Sequence, residues 1–473
     1  EKSLAVAIGA PLLAGSPMLS MLLSSSSGAK RVFSEAGVNT AIGAYDLYEQ
    51  ADILTALTDL ITNNLDIQEW VLKMDNDYSE RCSAVLTVNN LKCVKSLRRS
   101  RQGMHRTIER KHTQAGKASS NSVRLEMENE WAATKANEAR IKVSKELAQK
   151  LPNCLTFPQA SGKLQQQQTS EEIFAPSEDL VACGNFGSFL TRFLKFGGVI
   201  EAEPPSQCLL GRVAAHVLIE PDGDVSVQST VTVISDTRTR KRIGSVFPQN
   251  LVSESAITAA SESIGHVMHQ RGVLGYVTIT FVAFRDATGA KKVWAEGLET
   301  HMTLSAASHR VFELLTSSRS SPVHEERRSY ASLPAMAIPR LAMMTFQSFF
   351  RVARLQGLSY DMRERLGTVF HMVDSPVNGL LGVTVIANSR EEALTSLQRS
   401  TTFLMSMLGS TNRMVNAARK GRKGTEGTRD SLGILEALRH TMALVTPKIT
   451  EDSDIGSFHS ESPDRRNDRV TLG

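Results

Sequence analysis

The sequence predicts an α+β fold, and three observations carry that prediction. From Trp70 onward, β-rich runs and runs with helical spacing are segregated rather than strictly alternating. Two turn signatures, Pro221-Asp222-Gly223-Asp224 and Asp286-Ala287-Thr288-Gly289, each sit between β-rich segments, as hairpins require. The composition is globular: of 473 residues, 41% are hydrophobic and 22% charged, which excludes collagen-like, fibrous and fully disordered classes. Aromatic residues are only 5%, so the core must lean on Leu, Val, Ile, Ala and the 16 Met. A net charge of +5 does not demand a nucleic-acid partner. At roughly 150 residues per domain, the length admits about three domains.

Taken in order, the apolar opening Leu4 to Leu23 is cut by Gly9, Pro11, Gly15 and Pro17. It therefore reads neither as a membrane span nor as a signal segment. Leu4 to Ile8 reads as a short buried strand, followed by a loop and a helix. A chain that starts at Glu1 without Met reads as a piece of a longer polypeptide. Ser24 to Arg31 is a small-residue turn entering a helix. Asp46 to Asn63 has the apolar spacing of an amphipathic helix, with Leu47, Ile53, Leu54, Leu57, Leu60 and Ile61 on one side. Trp70 to Met74 reads as a strand and Ser83 to Val88 as its hairpin mate.

The composition then shifts. Residues 95–117 carry Lys or Arg at 95, 98, 99, 101, 106, 110, 111 and 117, against the single acid Glu109. A mixed-charge helix pattern follows over 123–150. A Pro-containing stretch with the run Gln165 to Gln168 comes after it. Together these read as an insertion: a basic arm, one surface helix and a flexible linker.

Regular structure resumes near Phe186. A helix face of Phe189, Leu190, Phe193 and Leu194 is stopped by Gly197-Gly198. Strands are expected over Val213–Glu220, Val225–Val233, Gly275–Phe284 and Lys292–Glu296, with helices over Glu254–Arg271 and Leu304–Leu315. Pro322 to Pro334 reads as a linker. Beyond it come a helix over Ile338–Leu355, with Pro339 in its first turn and Gly357 after its end, strands Gly367–Asp374 and Leu381–Ala387, and helices Ser389–Leu408 and Leu432–Leu444. Residues 411–430 are basic and Gly-rich, and the polar tail reads as disordered.

Local chemical motifs are sparse. There is no G-x-S-x-G, no G-x-x-x-x-G-K-[ST] and no G-x-G-x-x-G. Cys82, Cys93, Cys154, Cys183 and Cys208 form neither a metal knuckle nor a disulfide framework, and no Asn-x-Ser/Thr occurs, which fits a reducing compartment. His266 and His269 have metal-ligand spacing but no third ligand nearby, so they read as surface or packing residues. Gly421 to Thr425 reads as a flexible basic loop. The basic arm lacks interleaved aromatics for stacking on bases. Its segment Arg101 to Lys111 keeps the Gln, the Arg and the final basic residue of a calmodulin-binding IQ motif, but Arg101 stands at the leading apolar position.

The most specific pattern is distributed along the chain. Phe33-Ser-Glu-Ala-Gly-Val38 precedes the first amphipathic helix. Trp70-Val-Leu-Lys73-Met-Asp75 is followed by a polar loop, and Gly197-Gly-Val-Ile-Glu201 comes later. Gly272-Val-Leu-Gly275-Tyr-Val-Thr-Ile-Thr-Phe281 and Val293-Trp-Ala-Glu-Gly-Leu-Glu299 close the series. This order resembles an ATP-grasp domain, and most closely the ATP-grasp-like region of the IQ-motif-containing protein H family of ciliary and flagellar proteins. Lys30 to Val38, Phe196 to Pro205, Leu218 to Gly223, Arg271 to Tyr276 and Gly357 to Phe370 are the stretches that match.

The resemblance implies a degenerate ATP-grasp-like fold followed by a smaller C-terminal α/β domain. On that reading residues 1–40 end a preceding region, 41–94 are the N-terminal lobe and 95–183 the charged insertion. Residues 184–320 form the C-terminal lobe, 321–334 a linker, 335–446 the C-terminal domain and 447–473 a tail. It implies ATP or ADP as ligand, with Lys73 on phosphate, Glu201 at an adenine hinge and Glu299 as a metal ligand. The sequence departs from the active pattern where chemistry is done. The loop Asn76 to Ser83 has no Gly to bring backbone N–H groups to phosphate. Thr280 stands at one expected metal position and Gly297-Leu298-Glu299 at the Glu-x-Asn position, leaving poor support for Mg²⁺.

The favoured function is therefore a non-catalytic structural component of a ciliary or flagellar axoneme, located in the cytoplasm and axoneme. Its expected partners are other axonemal proteins and tubulin, and neither a membrane nor nucleic acid is expected. The alternatives are an ATP-binding protein or ATP-dependent carboxylate–amine ligase, and a calmodulin or RNA adaptor resting on the basic arm.

Overall fold

The computed structural model describes residues 2–10, 14–75, 83–114, 138–156, 186–236, 242–316, 328–338, 341, 343–373, 379–407 and 434–442. The loop after Met74, the Gln-rich stretch, the basic Gly-rich stretch and the tail lie outside them.

Two antiparallel sheets organise the chain. The smaller has strands β1 (Gly43–Leu47), β2 (Glu69–Met74), β3 (Ser83–Thr87), β4 (Leu155–Thr156) and β5 (Gly198–Glu203), in the order β1-β5-β2-β3-β4. Helix α4 (Gln50–Asn63) buries Ile53, Leu57 and Ile61, and α7 (Phe186–Phe196) buries Phe189 and Phe193. These side chains meet Trp70 and Leu72 in one core. Gly197, at φ +77, ends α7, and Gly198 lets β5 lie close to β2, because a Cβ there would stand 2.2 Å from the Lys73 carbonyl oxygen.

The larger sheet has nine strands in the order β10-β9-β6-β7-β8-β11-β14-β13-β12. They are β6 (Leu209–Ile219), β7 (Val225–Ser235), β8 (Arg242–Phe247), β9 (Gly275–Arg285), β10 (Lys291–Glu299), β11 (Ser329–Ala337), β12 (Tyr360–Asp361), β13 (Leu366–Met372) and β14 (Leu380–Ala387). The two turn signatures close the hairpins β6–β7 and β9–β10. Helix α8 (Glu254–Gln270) covers one part with Ile257, Ile264 and Met268, beside Val32 and Phe33 of α3 (Ser26–Glu35). Helices α10 (Phe346–Leu355) and α11 (Arg390–Met407), with a further helix over 434–442, cover the C-terminal part. Helix α9 (Leu304–Thr316) places Phe312 and His309 against Phe247 and Tyr330, so His309 is a packing residue.

Several elements differ from the sequence expectation. Residues Lys2–Ile8 form helix α1, not a strand, and Val6 and Ile8 are exposed. A short apolar run has no period to separate the two states. The expected helix from Asp46 begins at Gln50, because Gly43–Leu47 pairs with β5. The second half of the expected linker is β11, which joins β8 to β14. Pro334 is tolerated there because it falls in the register shift between Leu333 and Met336. The expected helix from Ile338 starts at Phe346, where the Thr345 hydroxyl caps it.

The charged insertion is also rooted in the fold. Its basic arm continues helix α5 (Lys92–Gln114), in which Arg98 donates to the carbonyl oxygens of Leu65 and Ile67. The next helix, α6, over 138–154, is not a solvated surface helix: Val143, Leu147 and Leu151 enter the core of the smaller sheet. Among the described residues, no helix is long and apolar enough to cross a membrane.

This packing is directly testable. Leu147→Ala should destabilise the chain by about 2–5 kcal/mol, the cost of a buried large-to-small change, in urea unfolding. A change within about 0.5 kcal/mol, as for surface sites, would show that the helix does not pack as described.

Candidate functional site

A cavity of about 800 Å³ opens where the smaller sheet, the larger sheet and the N-terminal helices meet. Its volume lies in the range of small-molecule sites, roughly 300–1,000 Å³. The smaller sheet contributes Val71, Lys73 and Glu203, and the larger sheet Arg212, Thr280, Glu296 and Glu299. Helix α2 (Pro17–Ser24) and the first turn of α3 contribute Met21, Ser24 and Ser26.

A run of alternating charges crosses the cleft. The Lys73 ammonium lies 3.0 Å from Glu201 Oε2 and 2.8 Å from Glu296 Oε1. Lys30 Nζ approaches Glu201 Oε1 at 2.6 Å and donates to the Ala295 carbonyl oxygen at 3.3 Å. Arg212 grips Glu296 with two donors, Nε to Oε2 at 2.7 Å and Nη2 to Oε1 at 3.0 Å, and reaches Glu203 at 3.4 Å. Beyond it, Arg242 pairs with Glu299 and donates to Thr280 Oγ1 at 3.2 Å. Asp75, at the end of β2, accepts the backbone N–H of Ser27 at 2.7 Å, and Ser26 Oγ donates to the Met74 carbonyl oxygen. A carboxylate of the chain itself thus satisfies the first turn of α3.

The electrostatics follow from these pairings. Burial works against the Lys73 charge, but Glu201 and Glu296 outweigh it and hold the ammonium above its ordinary range. Burial likewise disfavours the Glu296 carboxylate, yet Arg212 and Lys73 hold it well below the usual carboxylate range. Glu201 is depressed by Lys30 and Lys73, again against burial. Asp75 is raised, chiefly by burial.

The expected site residues therefore separate. Lys73 lines the cavity. Glu201 does not: it is only 5% exposed and lies under Lys30 and Lys73, where it serves as a counter-ion rather than a surface for a ring. Glu299 lines the cavity but is held by Arg242, whereas Glu296, not singled out from the sequence, meets Lys73. Lys30, Arg212 and Arg242 were also missed. Each sits in an unremarkable local context, and only the sheet topology brings them together. In volume the cavity fits a small organic ligand. The residues present do not fit a divalent cation. Both Glu296 oxygens are bonded to Lys73 or Arg212, Glu299 to Arg242, and Thr280 accepts from Arg242. Mg²⁺ needs oxygen donors that can turn toward it.

The site is thus a cleft of paired charges between two antiparallel sheets. A family model described as "IQCH-like, ATP-grasp" matches residues 17–161 and 163–321, and the chain belongs to that family. It is 26% identical over 414 residues to IQ motif-containing protein H of Danio rerio, covering 85% of this chain and 35% of that protein. The chain thus spans about a third of the length of that relative. Among solved structures it is similar to the biotin carboxylase domain of Hydrogenobacter thermophilus 2-oxoglutarate carboxylase, at 11% identity, with 92% of this chain and 79% of that one covered and a TM-score of 0.46. The biotin carboxylase of Campylobacter jejuni is 12% identical, with 88% and 76% covered and a TM-score of 0.43.

The pH dependence of stability follows from the shifts. Glu296 has a depressed folded value, so its contribution is complete above the ordinary 4.5 and is lost as pH falls toward the folded value. Lys73 has a raised folded value, so its contribution is complete below the ordinary 10.5 and is lost as pH rises through the folded value. Glu296→Gln should cost about 1–3 kcal/mol at neutral pH, since it leaves two part-buried cations short of a counter-charge, and should flatten the acid limb. Urea unfolding between pH 3 and 8 reads both, and an acid limb of unchanged slope would contradict the pairing.

Proposed function

We propose that this ATP-grasp unit is non-catalytic and serves as a structural part of a ciliary or flagellar axoneme assembly. The observation that carries the non-catalytic reading is the internal compensation of the cleft. Lys73, the residue expected on phosphate, faces Glu201 and Glu296, and both β10 carboxylates that line the cavity, Glu296 and the expected metal ligand Glu299, are held by arginines. Phosphoryl transfer depends on positive charge presented to the transferring group, and here that charge is already neutralised. The glycine-free loop 76–82 supports the same reading. The assembly role rests on the family resemblance and on helix α5, where the exposed side chains of Lys95 and Arg99 suit an acidic surface such as that of tubulin. The size of the cavity favours one other reading, an ATP-binding unit or carboxylate–amine ligase.

With ATP and Mg²⁺, the purified chain should release ADP no faster than its Lys73→Ala variant. ADP release abolished by that substitution would overturn the non-catalytic reading. In detergent-extracted flagella, tagged full-length protein should remain with the axoneme, and Lys95→Glu combined with Arg99→Glu should lower retention, most at low salt, where exposed charges are least screened. Equal retention of wild type and variant at every salt concentration would remove α5 as a contact.

A further inference from the structure

Arg242 is the least expected residue in the cleft. It lies on β8, which β6 and β7 separate from β9, yet its guanidinium reaches over the sheet face to Thr280 on β9 and Glu299 on β10. The two cleft arginines also differ in setting. Arg212 and Glu296 are 15% and 14% exposed, whereas Arg242 and Glu299 are 30% and 25% exposed. Exchanging the partner of the more solvated pair costs less desolvation, so an incoming anion meets Arg242 before Arg212. Glu299, once released, keeps contact with solvent and has His301 Nε2 at 3.9 Å.

We propose that this cavity binds a small phosphorylated ligand without a divalent cation, and that Arg242 provides the charge a metal would otherwise bring. A guanidinium fork matches two phosphate oxygens at once. Met21, Leu274 and Met302 line the same cavity and form an apolar wall for the organic part, while the Ser26 and Ser24 hydroxyls beside them are held by the Met74 carbonyl oxygen and by Thr300. The charge balance sets the ligand class. Lys73, Arg212 and Arg242 are matched by Glu203, Glu296 and Glu299, so the lining favours a mono- or diphosphate over a tetra-anionic triphosphate. This inference rests on reading the cleft as non-catalytic, but its test is separate, because it concerns binding alone.

The experiment is a calorimetric titration of the purified chain with AMP, ADP, ATP, adenosine and inorganic phosphate, each in EDTA and in Mg²⁺. AMP or ADP should bind in EDTA, with Mg²⁺ changing the dissociation constant by less than about threefold. ATP in EDTA should bind no tighter than ADP. Phosphate competing with AMP would show that the phosphoryl group alone is recognised, and a nucleotide-only response that the base adds to it; either supports the proposal. Arg242→Ala should weaken binding at least tenfold. Arg242→Ala with Glu299→Ala should do the same while keeping the wild-type unfolding midpoint, which separates binding from folding. The proposal is overturned by binding that requires Mg²⁺, by adenosine binding as tightly as AMP, by ATP in EDTA binding tighter than ADP, by unchanged binding in both Arg242 variants, or by no binding of any probe. ADP release with intact metal-free binding would instead sink only the non-catalytic reading.

Discussion

The ammonium of Lys73, held between Glu201 and Glu296, is the interaction on which the rest of the cleft depends. A lysine removed from water needs compensating carboxylates, and each buried carboxylate needs a further cation. Lys30 meets that need for Glu201, and Arg212 for Glu296. The result is a run of opposite charges through α3, β5, β2, β10 and β6, and Lys73–Glu296 and Arg212–Glu203 each join the smaller sheet to the larger one. The relative placement of the sheets is thereby tied to electrostatics as well as to apolar burial. Deleting one member leaves a neighbour buried without its counter-charge, which costs more than the pair itself contributes.

Backbone geometry makes that run possible. β5 pairs with both β1 and β2, so Glu201 is carried to the centre of the smaller sheet, opposite Val71 on β2 and Gly43 on β1. Gly43 is required for this approach, because a Cβ there would lie 2.1 Å from the Ile200 carbonyl oxygen. On the larger sheet, the β9–β10 hairpin shifts register between Ala295 and Gly297, at Glu296. A bulge of this kind re-aims a side chain, and here it presents Glu296 to Lys73 and Arg212. The C-terminal strands continue the same sheet through β11.

The fold class was legible because its signals are local: hairpin turns, helix spacing and β-rich runs each announce themselves within a few residues. The strands β2, β3, β6, β7, β9, β13 and β14 and helices α4, α8 and α9 lie near where their periodicity places them. What failed locally did so for identifiable reasons. Leu4 to Ile8 is too short to show a period, and Pro334 reads as a breaker unless its bulge is known. The helix over 138–154 presents charge along most of its surface while burying Val143, Leu147 and Leu151. The cleft was less legible than the fold. Lys73 could be reached from its strand and the family resemblance. The roles of Lys30, Arg212, Arg242 and Glu296 depend on which cation faces which carboxylate across two sheets, and no spacing along the chain encodes that.

The presence of Arg242 beside Glu299 has a physical logic of its own. A divalent cation arrives with an anionic ligand and leaves with it, so a metal-dependent site is free to keep carboxylates unpaired between cycles. A guanidinium is permanent and stays charged at any relevant pH. When no ligand is bound it must be neutralised by the chain, and Glu299, with the Thr280 hydroxyl accepting a second bond, does this. The same reasoning applies to Lys73 with its two carboxylates. A cleft assembled this way is stable when empty, and its stability does not wait on a nucleotide. This suits the assembly role proposed above, whereas turnover would call for charge left uncompensated until the transition state forms.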